Sequence, residues 1–186
     1  GGEAEGVEID ALNENFAAVY NYSHHNSGGF VQFCTPANLP SFDSYYAYNI
    51  SEKDGTYGPG PNRNSLIMPL AAAINCSVFN NTIYFDPFPA QDNNGSDRFF
   101  NNNSSDVQSV AIYNNIFYRG GNPYQFNQGE QNYFNNDMQS LAESNVVPEG
   151  GDAQFANNLF YNFDTSTIDK SSNFYLDNIW DVDPKL

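Results

Sequence analysis

Three pentapeptides in this chain are nearly the same: NNTIY at 80–84, NNIFY at 114–118 and NNLFY at 157–161. Such a repeat constrains architecture first, because each unit must bury its apolar face against its neighbours. Aligned on the second Asn, the column runs more weakly to Asn21 in VYNYSHH, Asn49 in AYNISEK and Asn178 in LDNIWDV. The successive intervals of 28, 32, 34, 43 and 20 residues are too irregular for a helical array. Short apolar runs beside each Asn read as strands, and the Gly/Pro/Asn-rich inserts as loops. A repeat of roughly 20–30 residues with short strands and one fixed Asn matches a parallel β-helix. Asn tolerates the left-handed backbone of a sharp bend, and its amide can hydrogen-bond up a column as a ladder. The expectation is an all-β chain, one parallel β-helix domain over 1–186 of about six coils with irregular loop insertions. The ladder runs through Asn21, Asn49, Asn81, Asn115, Asn158 and Asn178, which makes the motif scaffold, and the longer loop excursions fall at about 35–64 and 86–106.

Charge narrows the partners. The 186 residues carry 22 acidic against 6 basic side chains, a net charge of −16, which repels nucleic acid and anionic membranes. No apolar run approaches the ~18 residues of a membrane span. Two cysteines, Cys34 and Cys76, are too few for a disulfide framework. Buried thiols are the default, and one bridge stays open to a fold that brings them together. Seven Asn-x-Ser/Thr sequons occur, at Asn21, Asn49, Asn75, Asn80, Asn94, Asn102 and Asn103, where chance gives about three. They point to a glycosylated protein, extracellular or on the cell surface.

The stretch EGVEIDALNENFAAVYNYSHHNSGGFVQFC (5–34), the YNIS, NNTIY, NNIFY and NNLFY coils and the terminal DVDPKL resemble a known group. The chain is similar over nearly its whole length to secreted right-handed parallel β-helix repeat proteins of the pectate-lyase-like superfamily. The resemblance implies a right-handed coil and a role in cleaving or binding polysaccharide. It also implies Ca²⁺ as the cofactor of any lyase activity, and a chain that continues past DPKL. The paired Asp of polygalacturonases and the Arg of pectate lyases have no counterpart here, so the resemblance carries fold further than activity.

The candidate site begins in the first coil. Glu8 and Asp10 alternate with Val7 and Ile9, so on a strand both carboxylates share one face. One coil later His25, beside His24, enters a turn, and Gln32 falls near the Glu8/Asp10 face. Glu8, Asp10 and His25 are candidates for general acid–base work on a glycosidic bond or a uronate proton, and the carboxylates for holding Ca²⁺. Candidate substrate-binding residues are Gln32, Tyr46, Tyr48, Lys53 and Arg63; aromatic rings stack on sugar C–H faces. The function implied is a secreted carbohydrate-associated protein: a polysaccharide lyase, a hydrolase or a binding remnant of one. The alternative is a structural glycoprotein of an extracellular fibre or surface layer. Its copies would stack end to end, because a β-helix exposes strand edges at its two ends.

Overall fold

A computed structural model describes residues 6–10, 13–26, 28–34, 39, 41–55, 65–69, 73–86, 98–100, 110–125, 154–166 and 175–185. The regular elements among them are all β-strands. First come β1 (Val7–Asp10), β2 (Ala17–Val19) and β3 (Tyr22–His24), then β4 (Val31–Cys34), β5 (Ser41–Phe42), β6 (Tyr45–Ala47) and β7 (Ile50–Glu52). The next set is β8 (Ser65–Pro69), β9 (Ala73–Ile74), β10 (Cys76–Phe79) and β11 (Thr82–Phe85). It is followed by β12 (Arg98–Phe100), β13 (Val110–Tyr113), β14 (Ile116–Arg119) and β15 (Tyr124–Gln125). The last strands are β16 (Gln154–Ala156), β17 (Leu159–Tyr161), β18 (Phe163–Asp164), β19 (Tyr175–Leu176) and β20 (Ile179–Trp180).

Three larger sheets collect these strands in rotation. The first runs β1-β4-β8-β12, the second β2-β6-β10-β13-β16-β19, and the third β3-β7-β11-β14-β17-β20. Their strand pairs are parallel, as are the two-stranded sheets β5-β9 and β15-β18. The chain is therefore all-β with parallel sheets, an arrangement compatible with a β-helix. Residues 41–55 correct one expectation. They fall inside the predicted 35–64 loop, yet form β5, β6 and β7 and join the sheets. Likewise β12 lies within the 86–106 excursion.

Between the second and third sheets stands the asparagine ladder. The backbone N–H and Nδ2 of Asn21 both donate to Oδ1 of Asn49, at 2.8 and 3.0 Å. Asn49 does the same to Asn81, Asn81 to Asn115, Asn115 to Asn158 and Asn158 to Asn178. Each Nδ2 from Asn49 onward also donates to a second-sheet carbonyl one layer back, as Asn81 does to Tyr46 O at 3.0 Å. These bonds satisfy amides that are otherwise buried, since Asn49, Asn81, Asn115 and Asn158 are at most 1% exposed. The bend itself belongs to the preceding residue. Tyr20, Tyr48, Asn80, Asn114, Asn157 and Asp177 all have φ between 54 and 58°. One residue of each pair thus turns the chain in the left-handed region, and the next one stacks.

The core lies on the inward faces. Ala18, Tyr46, Val78, Ile112 and Phe155 come from the second sheet; Ser23, Ser51, Ile83, Phe117 and Phe160 from the third. Strand alternation explains the choice, because β10, β11, β13 and β14 each bury every second residue. The first sheet follows suit, with Ile9 buried and Val7 packed against the core while Glu8 is exposed.

Candidate functional site

The outward face of the third sheet carries the densest set of functional groups among the described residues. Three residues past each ladder Asn the side chain points away from the core, and register aligns His24, Glu52, Tyr84, Tyr118 and Tyr161 in one row. The tyrosines follow one another along the sheet: Tyr118 and Tyr161 stack with centroids 4.8 Å apart, and Tyr84 lies 5.4 Å from Tyr118 with its ring tilted by 40°. Tyr118 and Tyr161 therefore meet face to face, and ring edges are offered outward.

Charge gathers at one end of this row. The Tyr22 hydroxyl donates to the Glu52 carboxylate, and its ring stacks on His24 at 5.2 Å. Nδ1 atoms of His24 and His25 lie 3.3 Å apart. Lys53 Nζ sits 3.1 Å from Asp86 Oδ2, and the Tyr84 hydroxyl donates to Asp86 Oδ1 at 2.8 Å. The bond to Glu52 raises the Tyr22 phenol above its ordinary value, and the bond to Asp86 does the same for Tyr84. Lys53 is also raised, chiefly by its hydrogen bond to Asp86. Beside these groups lies a shallow hollow of about 370 Å³ lined by Ile50, Ser51, Glu52, Thr82, Tyr84 and Tyr118. A carboxylate, an ammonium and phenols on a half-apolar strip suit a polyhydroxylated ligand, which offers both C–H surface and hydroxyls.

A second cleft, open and about 880 Å³, lies by Arg119, Tyr124, Gln125, Phe163, Asp164 and Asp181. Arg119 is 9% exposed. Its Nε donates to the Asn122 carbonyl at 2.8 Å, and its guanidinium lies over Phe85 and Tyr124 at 5.5 and 5.1 Å. Hydrogen bonds from Ser166 hold Asp164 below the usual carboxylate range.

The sequence-predicted residues are scattered over this frame. Glu8 pairs in register with Gln32, as its face predicts, but Gln32 is 2% exposed, so a surface role for it does not fit. Tyr46 is wholly buried and packs edge-on against Phe30, which makes it core rather than a sugar platform. Tyr48 is exposed but lies at the bend, stacked on Tyr20 at 5.3 Å. His25 and Lys53 do sit at the charged end of the tyrosine row. Among the described residues no hydrogen bond or ion pair joins Glu8 to His25. The Asp10 backbone lies in β1, while its side chain and all of Arg63 lie outside the described residues, as do Asn94, Asn102 and Asn103. Of the other sequons, Asn75 is open to solvent and Asn80 half-buried, whereas Asn49 spends its amide in the ladder. Cys76 is a free, buried thiol, not bridged to Cys34, and burial pushes it up to about 11.

Glu52, Tyr84, Asp86 and Tyr161 were not singled out as site residues by sequence reasoning. The signal was nevertheless present, because Tyr occupies the third position after Asn in all three strong repeats. Among the described residues no three His, Cys, Asp or Glu side chains converge as metal ligands, and no helix is long and apolar enough to cross a membrane. No protein-family model matches the chain, and no curated protein or solved structure matches it either.

Proposed function

We propose that the chain is a right-handed parallel β-helix of about six coils that binds carbohydrate outside the cell. The rotation of the strands through three parallel sheets supports the architecture. The observation that carries the binding reading is the outward row Tyr84–Tyr118–Tyr161, headed by Glu52, Lys53 and Asp86. Stacked phenols present a repeating edge of hydroxyls and ring C–H groups, at intervals a linear saccharide can follow. The net charge of −16 disfavours polyuronates, so neutral or amino-sugar polymers are the preferred class. Titration calorimetry with neutral, amino-sugar and uronic oligosaccharides tests this. Binding of a neutral or amino-sugar oligomer is expected, weakened at least about tenfold by Tyr84→Ala or Glu52→Gln, roughly 1.4 kcal/mol. Binding untouched by both substitutions would move the site elsewhere, and no heat with any saccharide would end the reading.

A further inference from the structure

The two histidines of the chain are adjacent in sequence, and the fold turns their rings toward each other. Successive side chains of a strand point to opposite faces, so a continued β3 would hold His24 and His25 apart. Instead β3 ends at His24, and His25 takes a left-handed backbone with φ 55°. Lys53 turns the same way one layer on, at φ 59°. The turn brings Nδ1 of His25 to 3.3 Å from Nδ1 of His24, with the ring planes at 81°. Both rings are also held from outside the pair. The His25 backbone N–H donates to the Glu52 carbonyl at 3.0 Å. The His24 ring stacks on Tyr22, whose hydroxyl donates to the Glu52 carboxylate, and register sets His24 beside Glu52.

As a hydrogen bond, the contact needs one Nδ1 to donate and the other to accept. Its length has a second meaning. Two nitrogens bound at about 2.0–2.1 Å to a tetrahedral ion stand about 3.3–3.4 Å apart, which is the spacing of this pair. The geometry points to a metal site at His24 and His25 for a borderline-soft dication, with Zn²⁺ as the ion that fits. Imidazole nitrogens suit Zn²⁺, whereas Ca²⁺ and Mg²⁺ take oxygen ligands. The imidazoles bind as neutral ligands, and the Glu52 carboxylate beside them offsets part of the ion's charge. Two protein ligands leave the other coordination positions to water or an incoming donor, which makes the site open rather than structural. Neither the tyrosine row nor a saccharide takes part, so the site stands or falls apart from the carbohydrate reading.

Zinc chloride titrated into the 186-residue chain in a non-chelating buffer tests it. Heat alone does not identify the ligands, because 22 acidic side chains also attract dications. With only 2 histidines in the chain, the imidazole signals in NMR report this site and no other. One equivalent of Zn²⁺ is expected to shift both sets of imidazole signals together, while about a hundredfold excess of Ca²⁺ leaves them in place. His24→Gln and His25→Asn should each weaken Zn²⁺ binding at least about tenfold, Asn being tolerant of the left-handed turn. Zn²⁺ uptake that leaves the imidazole signals unmoved would assign the ion to carboxylates and overturn the inference. So would a shift of one histidine alone, displacement by Ca²⁺, affinity unchanged in both variants, or no uptake at about millimolar Zn²⁺.

Discussion

The inward column of the third sheet is filled in two ways. Toward β3 it holds Ser23 and Ser51 around the fully buried Asp54, whose Oδ2 accepts both hydroxyls at 2.5 and 2.6 Å. Its Oδ1 takes the Asn26 backbone N–H and Nδ2 at 3.0 and 2.8 Å. Toward β20 the same column holds Phe117, Phe160 and Trp180, stacked at 5.1 and 4.4 Å. One half is held by directional bonds to a single carboxylate, the other by apolar area and ring contact. The polar half fixes one geometry and leaves donors stranded if its centre is lost; the aromatic half tolerates tilt but not missing volume.

Breaking each half separately measures the difference. Phe160→Ala removes a ring that touches Phe117, Phe163 and Trp180, and should lower unfolding free energy by about 4 kcal/mol in denaturant titration. Asp54→Ala should follow at about 3 kcal/mol, because two buried hydroxyls and two part-buried Asn26 donors lose their acceptor. Asp54→Asn keeps the shape and should recover part of that loss. If it recovered all, the charge would be irrelevant to the polar half.

Alkali sharpens the contrast further. Cys76 titrates at about 11 when folded against an ordinary 9.0, so the folded state holds its proton longer than the unfolded chain. The stability linked to Cys76 is therefore complete below pH 9.0 and falls as pH rises through 11, by about 3 kcal/mol at most. Cys76→Ala should flatten that part of a stability–pH curve, and an unchanged slope would assign it to other groups. Burial also raises the Tyr46 phenol, the Asp54 charge adds to the rise, and nearby Ser23 opposes it without reaching hydrogen-bond geometry. Since this buried hydroxyl has no partner among the described residues, Tyr46→Phe should be neutral or stabilising by under about 1 kcal/mol. A clear destabilisation would show that the polar half extends to Tyr46.

The ladder was legible because one residue type did one job at every layer. All five predicted intervals reappear as Asn-to-Asn hydrogen bonds. The division of labour within each pair was not, since Tyr20 and Tyr48 stand where three layers have Asn, and sequence gives no φ. Residues 41–55 read as a loop because they lie in the 35–64 stretch, which is rich in Pro, Tyr and Gly, yet Tyr46 and Ala47 are buried by neighbours far away in sequence. For the candidate site, the alternation that exposes Glu8 was readable. The row at Glu52, Tyr84, Tyr118 and Tyr161 assembles only when intervals of 32, 34 and 43 residues are folded into register. Charge partners such as Lys53 and Asp86 meet across that same distance.

The ladder also separates spacing from geometry. Its backbone-to-Oδ1 steps span from 20 residues, closed at 2.7 Å, to 43 residues, closed at 2.9 Å. Lengthening a connection from the shorter to the longer adds only about 0.6 kcal/mol of closure entropy. Each connection between layers is thus a graft point, where foreign segments of quite different length can be displayed without retuning the scaffold beneath them.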